Sequence, residues 1–171
     1  MKIIAVLLAL ATQASAGEVW FAPQDNCTAV IVRELDKATK SINVQAYNFT
    51  SEPIGDALMR AEQRGVVVRV LLDRRAPFQG NSQAQRLKAS GAEVMLDARH
   101  PIAHVKYSGI DGERFLGGSF NYSKQANRNS EDLTLEDDPK LVKEFAGNFE
   151  RHWAHGKPFV AQTTKTRRRL R

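Results

Sequence analysis

Residues 104–121 read His-Val-Lys-Tyr-Ser-Gly-Ile-Asp-Gly-Glu-Arg-Phe-Leu-Gly-Gly-Ser-Phe-Asn. Two strand-like runs, 104–110 and 114–116, flank Asp111-Gly112, one of the strongest short hairpin signals. This third of the chain is therefore expected to enter a sheet. Working backward, a β-branched run over 66–72 and shorter runs over 93–96, 42–46 and 19–21 also read as strands. Between them, Cys27, Ile31 and Leu35, and then Ile54, Ala57, Leu58 and Ala61, recur at helical spacing, with Asp25 or Asn26 as a cap and Gly65 as a left-handed stop. A short helix is expected over 82–90 and a loop over 74–81, where turn formers carry no period. Working forward, Leu133 and Leu135 mark a strand. Asp138 and Pro139 open a last helix whose Leu141, Phe145, Phe149 and Trp153 are expected to form a core stripe. Strands alternating with helices define an α/β protein: a single mixed β-sheet flanked by helices on both faces.

The same stretch carries the chemistry. His104 and Lys106 stand two apart on the expected strand, so their side chains share a face. An ammonium neutralises phosphate oxygens, and a neutral imidazole attacks phosphorus or moves a proton near neutral pH. A His-x-Lys pair alone occurs by chance. The continuation singles this one out: Asp111 follows, and after Gly117-Gly118 the residues Ser119 and Asn121 repeat the two-residue spacing. The glycines allow close approach of the backbone to a ligand, while the hydroxyl and amide donate to anionic oxygens.

His104-x-Lys106-x4-Asp111-x6-Gly118-Ser119-x-Asn121 resembles the HKD signature of the phospholipase D superfamily without a gap. From about Gly17 to Trp153 the chain is similar to the small bacterial single-motif endonucleases of that superfamily, which are active in the presence of chelators. The likeness extends to Gln45-Ala46-Tyr47-Asn48-Phe49-Thr50, to the glycine-led run 65–73 and to Asn129-Ser130-Glu131. It implies a phospholipase D-like fold and roles for individual residues. His104 would be nucleophile or general acid, Lys106 and Asn121 would bind phosphate with help from Ser119, and Glu131 would hold the imidazole in one tautomer. Asp111, in the turn, faces away from the His104 pair and is assigned structural support, together with Gly117 and Gly118.

One motif supplies one reactive histidine, whereas cleavage through a phosphohistidine uses a nucleophile and a leaving-group acid. His100, His152 and His155 lack a matching Lys and Asn. The resemblance supplies the answer used by single-motif relatives, a homodimer with a composite active site. A metal is not expected. Asp137 and Asp138 read as helix caps, and His152-x2-His155 lacks a third ligand. No cofactor is implied.

The 171 residues carry a net charge of +6, but Lys2 and the run Lys165 to Arg171 account for all of it, leaving 19 basic and 19 acidic residues between 17 and 164. A basic tail over 161–171 can touch a polyanion; the body, a domain over 17–160, is neutral overall. The first sixteen residues, MKIIAVLLALATQASA, have the charge, apolar run and Ala-x-Ala ending of a secretory leader cut after Ala16, which implies a periplasmic or secreted protein. No other segment has the length of a transmembrane helix, so no stable membrane insertion is expected after cleavage. The single cysteine, Cys27, cannot form an intrachain disulfide and is expected to be buried.

Three functions fit a phosphate site: a nuclease acting on DNA and/or RNA with little sequence specificity, a phospholipase D-type lipid phosphodiesterase or phosphatidyltransferase, and a polyanion-binding module. The intact motif disfavours the last. No apolar lid is evident, whereas Arg74, Arg75, Phe78, Lys124 and Arg128 fall in loops able to line a groove that tracks a nucleic-acid backbone. The nuclease is the expected function.

Overall fold

The computed structural model describes residues 17–161; the expected leader over 1–16 and the expected basic tail from 162 onward lie outside the described residues. The elements are β1 (Glu18–Ala22), α1 (Cys27–Asp36), β2 (Ser41–Ala46), α2 (Glu52–Gln63), β3 (Val67–Asp73), α3 (Ala84–Ser90), β4 (Glu93–Asp97), β5 (Lys106–Ile110), β6 (Arg114–Gly117), β7 (Glu131–Glu136), α4 (Pro139–Trp153) and β8 (Lys157–Pro158). The eight strands form one mixed sheet in the order β1-β7-β6-β5-β2-β3-β4-β8. β2, β3 and β4 run parallel, joined by α2 and α3 as crossovers, and β5 lies antiparallel against β2. Among the described residues no helix is long and apolar enough to cross a membrane.

Alternation along β3 shows how the layers are filled. Val68, Val70 and Leu72 point into a core shared with Ile31 and Leu35 of α1, Leu58 of α2 and Leu87 of α3. Leu71, between them, points to the opposite face and joins Tyr107, Phe115, Val142 and Phe149 under α4. Each such large side chain contributes roughly 1.5–3 kcal/mol by leaving water. Asn26 caps α1 by accepting from Ala29 N at 3.1 Å, and Gly65 and Gly91 close α2 and α3 with φ of 85° and 119°. Cys27 is buried, which pushes its thiol pKa up.

The stripe on α4 departs from its expected place. Phe149 is fully buried, but Leu141 is 44% exposed and Phe145 and Trp153 are only half-buried, while Val142 takes a core place instead. Four residues advance a helix by roughly 400°, so a strict i+4 series drifts about 40° per step and its ends leave the buried face. Phe145 stacks on Phe115, and Trp153 is covered by the Arg69 guanidinium at 5.1 Å.

The hairpin turn fixes the sheet's registration. Asp111 and Gly112 adopt φ of 57° and 70°, the left-handed pair the turn needs. The Asp111 carboxylate accepts from Lys40 N at 2.8 Å, from Thr39 N and Ser41 N at 2.9 Å, and from the Thr39 hydroxyl at 3.0 Å. It clamps the β5–β6 turn to the entry of β2. Burial alone would raise its pKa, but these donors more than offset that and hold the carboxyl below its ordinary value. The stability it contributes is therefore present above the unfolded value of about 3.9 and is lost as pH falls through the lower folded value. Asp111→Asn keeps the turn geometry, since Asn tolerates positive φ, and should destabilise by about 1–3 kcal/mol near neutral pH through poorly satisfied backbone donors. Urea melts of both proteins at descending pH should show the gap closing in acid. A gap constant with pH would mean that the charge contributes nothing.

Candidate active site

The carboxyl ends of β2, β3 and β4 and the amino end of β5 lie along one edge of the sheet, where Ala46 pairs with Lys106 and Asp73 with Asp97. In mixed sheets such an edge, where strand direction reverses, is where ligands bind. β5 begins at Lys106, so His104 stands on an extended segment just before the strand and not on it. Three contacts hold that segment. Ala103 N donates to Asp73 Oδ2 at 2.9 Å, Tyr47 N donates to Val105 O at 2.8 Å, and the Tyr47 ring meets the His104 ring edge-on at 4.6 Å. The expected pairing survives the shift: Lys106 Nζ lies 3.0 Å from His104 Nδ1 and 2.9 Å from Nε2. A neutral imidazole offers one lone pair, so one of these contacts is a hydrogen bond.

Lys106 is only 7% exposed, and burial lowers its pKa against the opposing pull of the Glu131 charge. The ammonium is thus partly stripped of water before any anion arrives, which strengthens its attraction for a phosphate. His104 and Lys106 open onto a depression of about 500 Å³ bordered by Gly117, Gly118, Thr134 and Leu141.

The remaining motif residues fall into different places. Ser119 does not present a free donor: its hydroxyl donates to Glu131 Oε2 at 2.6 Å and accepts from Asp132 N at 3.0 Å. Glu131 also accepts from Asn129 Nδ2 at 3.0 Å, and its hydrogen bonds come from these two side chains and not from His104. Within one chain the expected carboxylate–imidazole bond is replaced by a Ser119–Glu131–Asn129 cluster, because Ser119 and Asn129 flank the start of β7. Gly117 and Gly118 serve protein packing. A Cβ at Gly117 would stand 2.8 Å from Tyr107 Cβ, and one at Gly118 would stand 2.5 Å from Asp132 O. Asp111 lies in its clamp at the turn, away from this edge.

Asn121 keeps a buried amide oxygen without a partner, and so does Asn48. Each directly precedes a member of the bridged pair Phe49–Tyr122, so the fold sets the two amides side by side. Buried polar groups are nearly always satisfied, and orphans of this kind fit a surface that receives a ligand. Tyr47, Asn48 and Asn129 had no assigned role in the sequence reading. Their signal was their place at the ends of β2 and the start of β7.

Of the five groove candidates, Lys124 and Arg128 line a common cleft with Thr28 and Asn127, and Lys124 reaches a second cleft bordered by Gly80 and Asn81. Phe78 projects from a 3-10 turn with 73% exposure, and Arg74 is exposed nearby. Arg75 is exposed as well, and its guanidinium pairs with Asp73 at 3.3 Å and donates to Pro101 O at 3.5 Å.

The objection to a metal at His152 and His155, the missing third ligand, is corrected by the fold. Asp97 at the end of β4 and His100 just beyond it join the two histidines, with one ligand atom from each residue all within 4.8 Å of one another. Residues far apart in sequence meet only after α4 docks on the sheet.

Between residues 31 and 153 the sequence matches the family described as cardiolipin synthase, PLD-like domain. The chain belongs to the phospholipase D superfamily of phosphodiesterases. Its fold is similar to that of the phospholipase D family member Nuc from Salmonella typhimurium, with a TM-score of 0.81 and 30% identity over 85% of this chain and 98% of that one. A curated phospholipase D from Rickettsia prowazekii is 38% identical over 130 residues, 75% of this chain and 63% of the relative. A mitochondrial cardiolipin hydrolase of Chlamydomonas reinhardtii is 31% identical over 120 residues, 70% of this chain and 54% of the relative. The chain therefore spans somewhat over half the length of these curated relatives.

Proposed function

We propose that this protein is an endonuclease that hydrolyses phosphodiester bonds of DNA and/or RNA through a phosphohistidine on His104, as a homodimer with a composite site and little sequence specificity. The observation that carries this reading is the contact between the His104 imidazole and the largely buried Lys106 side chain's ammonium at an open depression. A diester phosphate seats its unbridged oxygens against the Lys106 ammonium and the donor Nδ2 end of the Asn121 amide. One ring nitrogen of His104 then attacks phosphorus, the P–O bond to the leaving group breaks, and an imidazolium, the partner subunit's His104, protonates the departing oxygen. The imidazole so formed takes a proton from water, whose oxygen displaces the phosphate from the first ring and restores it. This scheme asks nothing of a catalytic metal, because Lys106 supplies the positive charge and His104 the nucleophile.

The nuclease reading is supported over a lipid substrate by Lys124 and Arg128 in one cleft, by the exposed Phe78 as a stacking surface, and by the likeness to Nuc. Contacts of that kind track a backbone and carry little base information. The names of the curated relatives favour lipid instead, so the test offers both. Supercoiled plasmid, RNA, phosphatidylcholine vesicles and cardiolipin vesicles are each incubated with the protein in excess EDTA. Nucleic acid should be cut at an undiminished rate. Activity lost in EDTA and restored by Mg²⁺ would return the chemistry to a metal pair, and turnover of lipid alone would assign the lipid activity. The leader-like first sixteen residues support a periplasmic or secreted setting.

A further inference from the structure

The cluster at the end of β4 has a composition unlike the rest of the surface. Asp97 is fully buried, and three imidazoles surround its carboxylate. His100 Nδ1 lies 2.8 Å and His152 Nδ1 3.1 Å from Asp97 Oδ2. His155 Nε2 lies 3.5 Å from Oδ1, is buried, and has no hydrogen-bond partner. The three ring centroids are 4.9–5.4 Å apart. A hydrogen-bonded network around one acid accounts for two of these rings and leaves the third nitrogen unexplained.

We propose that Asp97, His100, His152 and His155 form a binding site for one zinc(II) ion, which ties the C-terminal turn of α4 to the end of β4. Three nitrogens and one carboxylate oxygen are a tetrahedral donor set of the kind zinc takes in closed sites, with metal–ligand bonds of about 2.0–2.2 Å and ligand–ligand edges of about 3.3–3.6 Å. The four atoms here lie within 4.8 Å of one another, so small side-chain rotations complete the shell. Calcium and magnesium prefer oxygen ligands, and three imidazoles turn the site away from them. Supporting contacts are already in place. Asp97 Oδ1 accepts from the backbone N–H of Arg99 at 3.1 Å and of His100 at 3.3 Å. Such outer contacts orient ligands and are a recurring part of metal sites. The His100 side chain, 41% exposed, leaves an entry path.

The ion is structural, not catalytic. His100 stands four residues before His104, and the segment between them is already held by Asp73 and Arg75. This proposal does not depend on the nuclease reading, since its readouts are metal content and stability.

The test uses the full chain stripped with dipicolinate and re-equilibrated with one equivalent of zinc or magnesium. Zinc should bind at one ion per chain and raise the melting temperature, magnesium should do neither, and Co²⁺ should give the intense visible bands of a tetrahedral site. His155→Ala and His100→Gln should each weaken zinc binding by more than the roughly 10- to 100-fold that loss of a supporting partner costs. His104→Ala should still bind one ion. Should a ligand variant fail to fold, the cobalt spectrum of the unaltered chain decides: a pale octahedral spectrum overturns the proposal. So would absence of stoichiometric zinc in the wild-type chain, undiminished binding in the ligand variants, or loss of zinc in His104→Ala, which would place the ion at the reactive edge.

Discussion

His104→Ala is expected to abolish turnover, by a factor on the order of 10⁴–10⁶, the range seen when a covalent nucleophile is removed. The fold should be untouched, because His104 lies outside β5 and its ring is held by Tyr47 at the sheet edge, not in the core. Lys106→Met separates charge from packing. It should lower the rate by about 10³, in line with loss of a preorganised electrostatic stabiliser, yet raise the melting temperature. The sign follows from the direction of the shift. A lysine whose pKa falls on folding binds fewer protons in the folded state, so it costs stability at all pH below the folded value, and the cost vanishes only above the unfolded value of about 10.4. The methionine variant should therefore melt higher at pH 7 and lose that advantage in strong alkali. A lower melting temperature at pH 7, or a rate within tenfold of wild type, would remove Lys106 from its assigned role. The rate of the unaltered enzyme against pH should form a bell, because one imidazole must be neutral while its counterpart carries a proton.

The second large effect is expected from mixed dimers. Each chain carries one HKD motif, so in the proposed mechanism a two-fold partner would supply the second histidine, and whatever face holds His104 on one protomer would be matched on the other. Leu141, 44% exposed beside the His104 depression, offers apolar surface for such a contact. When equal amounts of wild-type and His104→Ala chains are unfolded and refolded together, activity should fall to roughly a quarter of that of the same total of wild-type chains, since random two-fold pairing leaves that share as intact dimers. Self-contained monomers would keep roughly half. A value near half together with a monomeric mass in solution would send the search for the second acid back into one chain.

The sequence made legible whatever is local. Asp111-Gly112 announced its turn because only a few residues accept two left-handed positions, and Asp25 or Asn26 and then Gly65 marked helix ends for equally local reasons. His104 and Lys106 were legible as a pair because two residues of extended chain bring side chains to one face whether or not the strand has formally begun. Contacts set by tertiary docking were not legible. Ser119 and Glu131, twelve positions apart, meet across the start of β7, and the amide next to them belongs to Asn129. Nothing in a residue's neighbours tells that a hydroxyl is already engaged. The four-residue cluster around Asp97 is the extreme case, joining positions 97 and 100 to 152 and 155 through the packing of α4. The α4 stripe erred for a geometric reason, the drift of an i+4 series around the helix.

The one-sided placement of the reactive residues divides the sheet into two ends with different tolerance for change. Tyr47, Asp73, Asp97, His104 and Lys106 crowd one edge, whereas the turn at Gly65 opens at the other, with no atom within 4 Å of where a Cβ would stand. Extra residues inserted after Gly65 lengthen a connection at small entropic cost, roughly 0.6 kcal/mol for each doubling of the loop. A fluorophore or affinity tag grafted there would ride on the molecule's far side and leave the edge that carries His104 and Lys106 open.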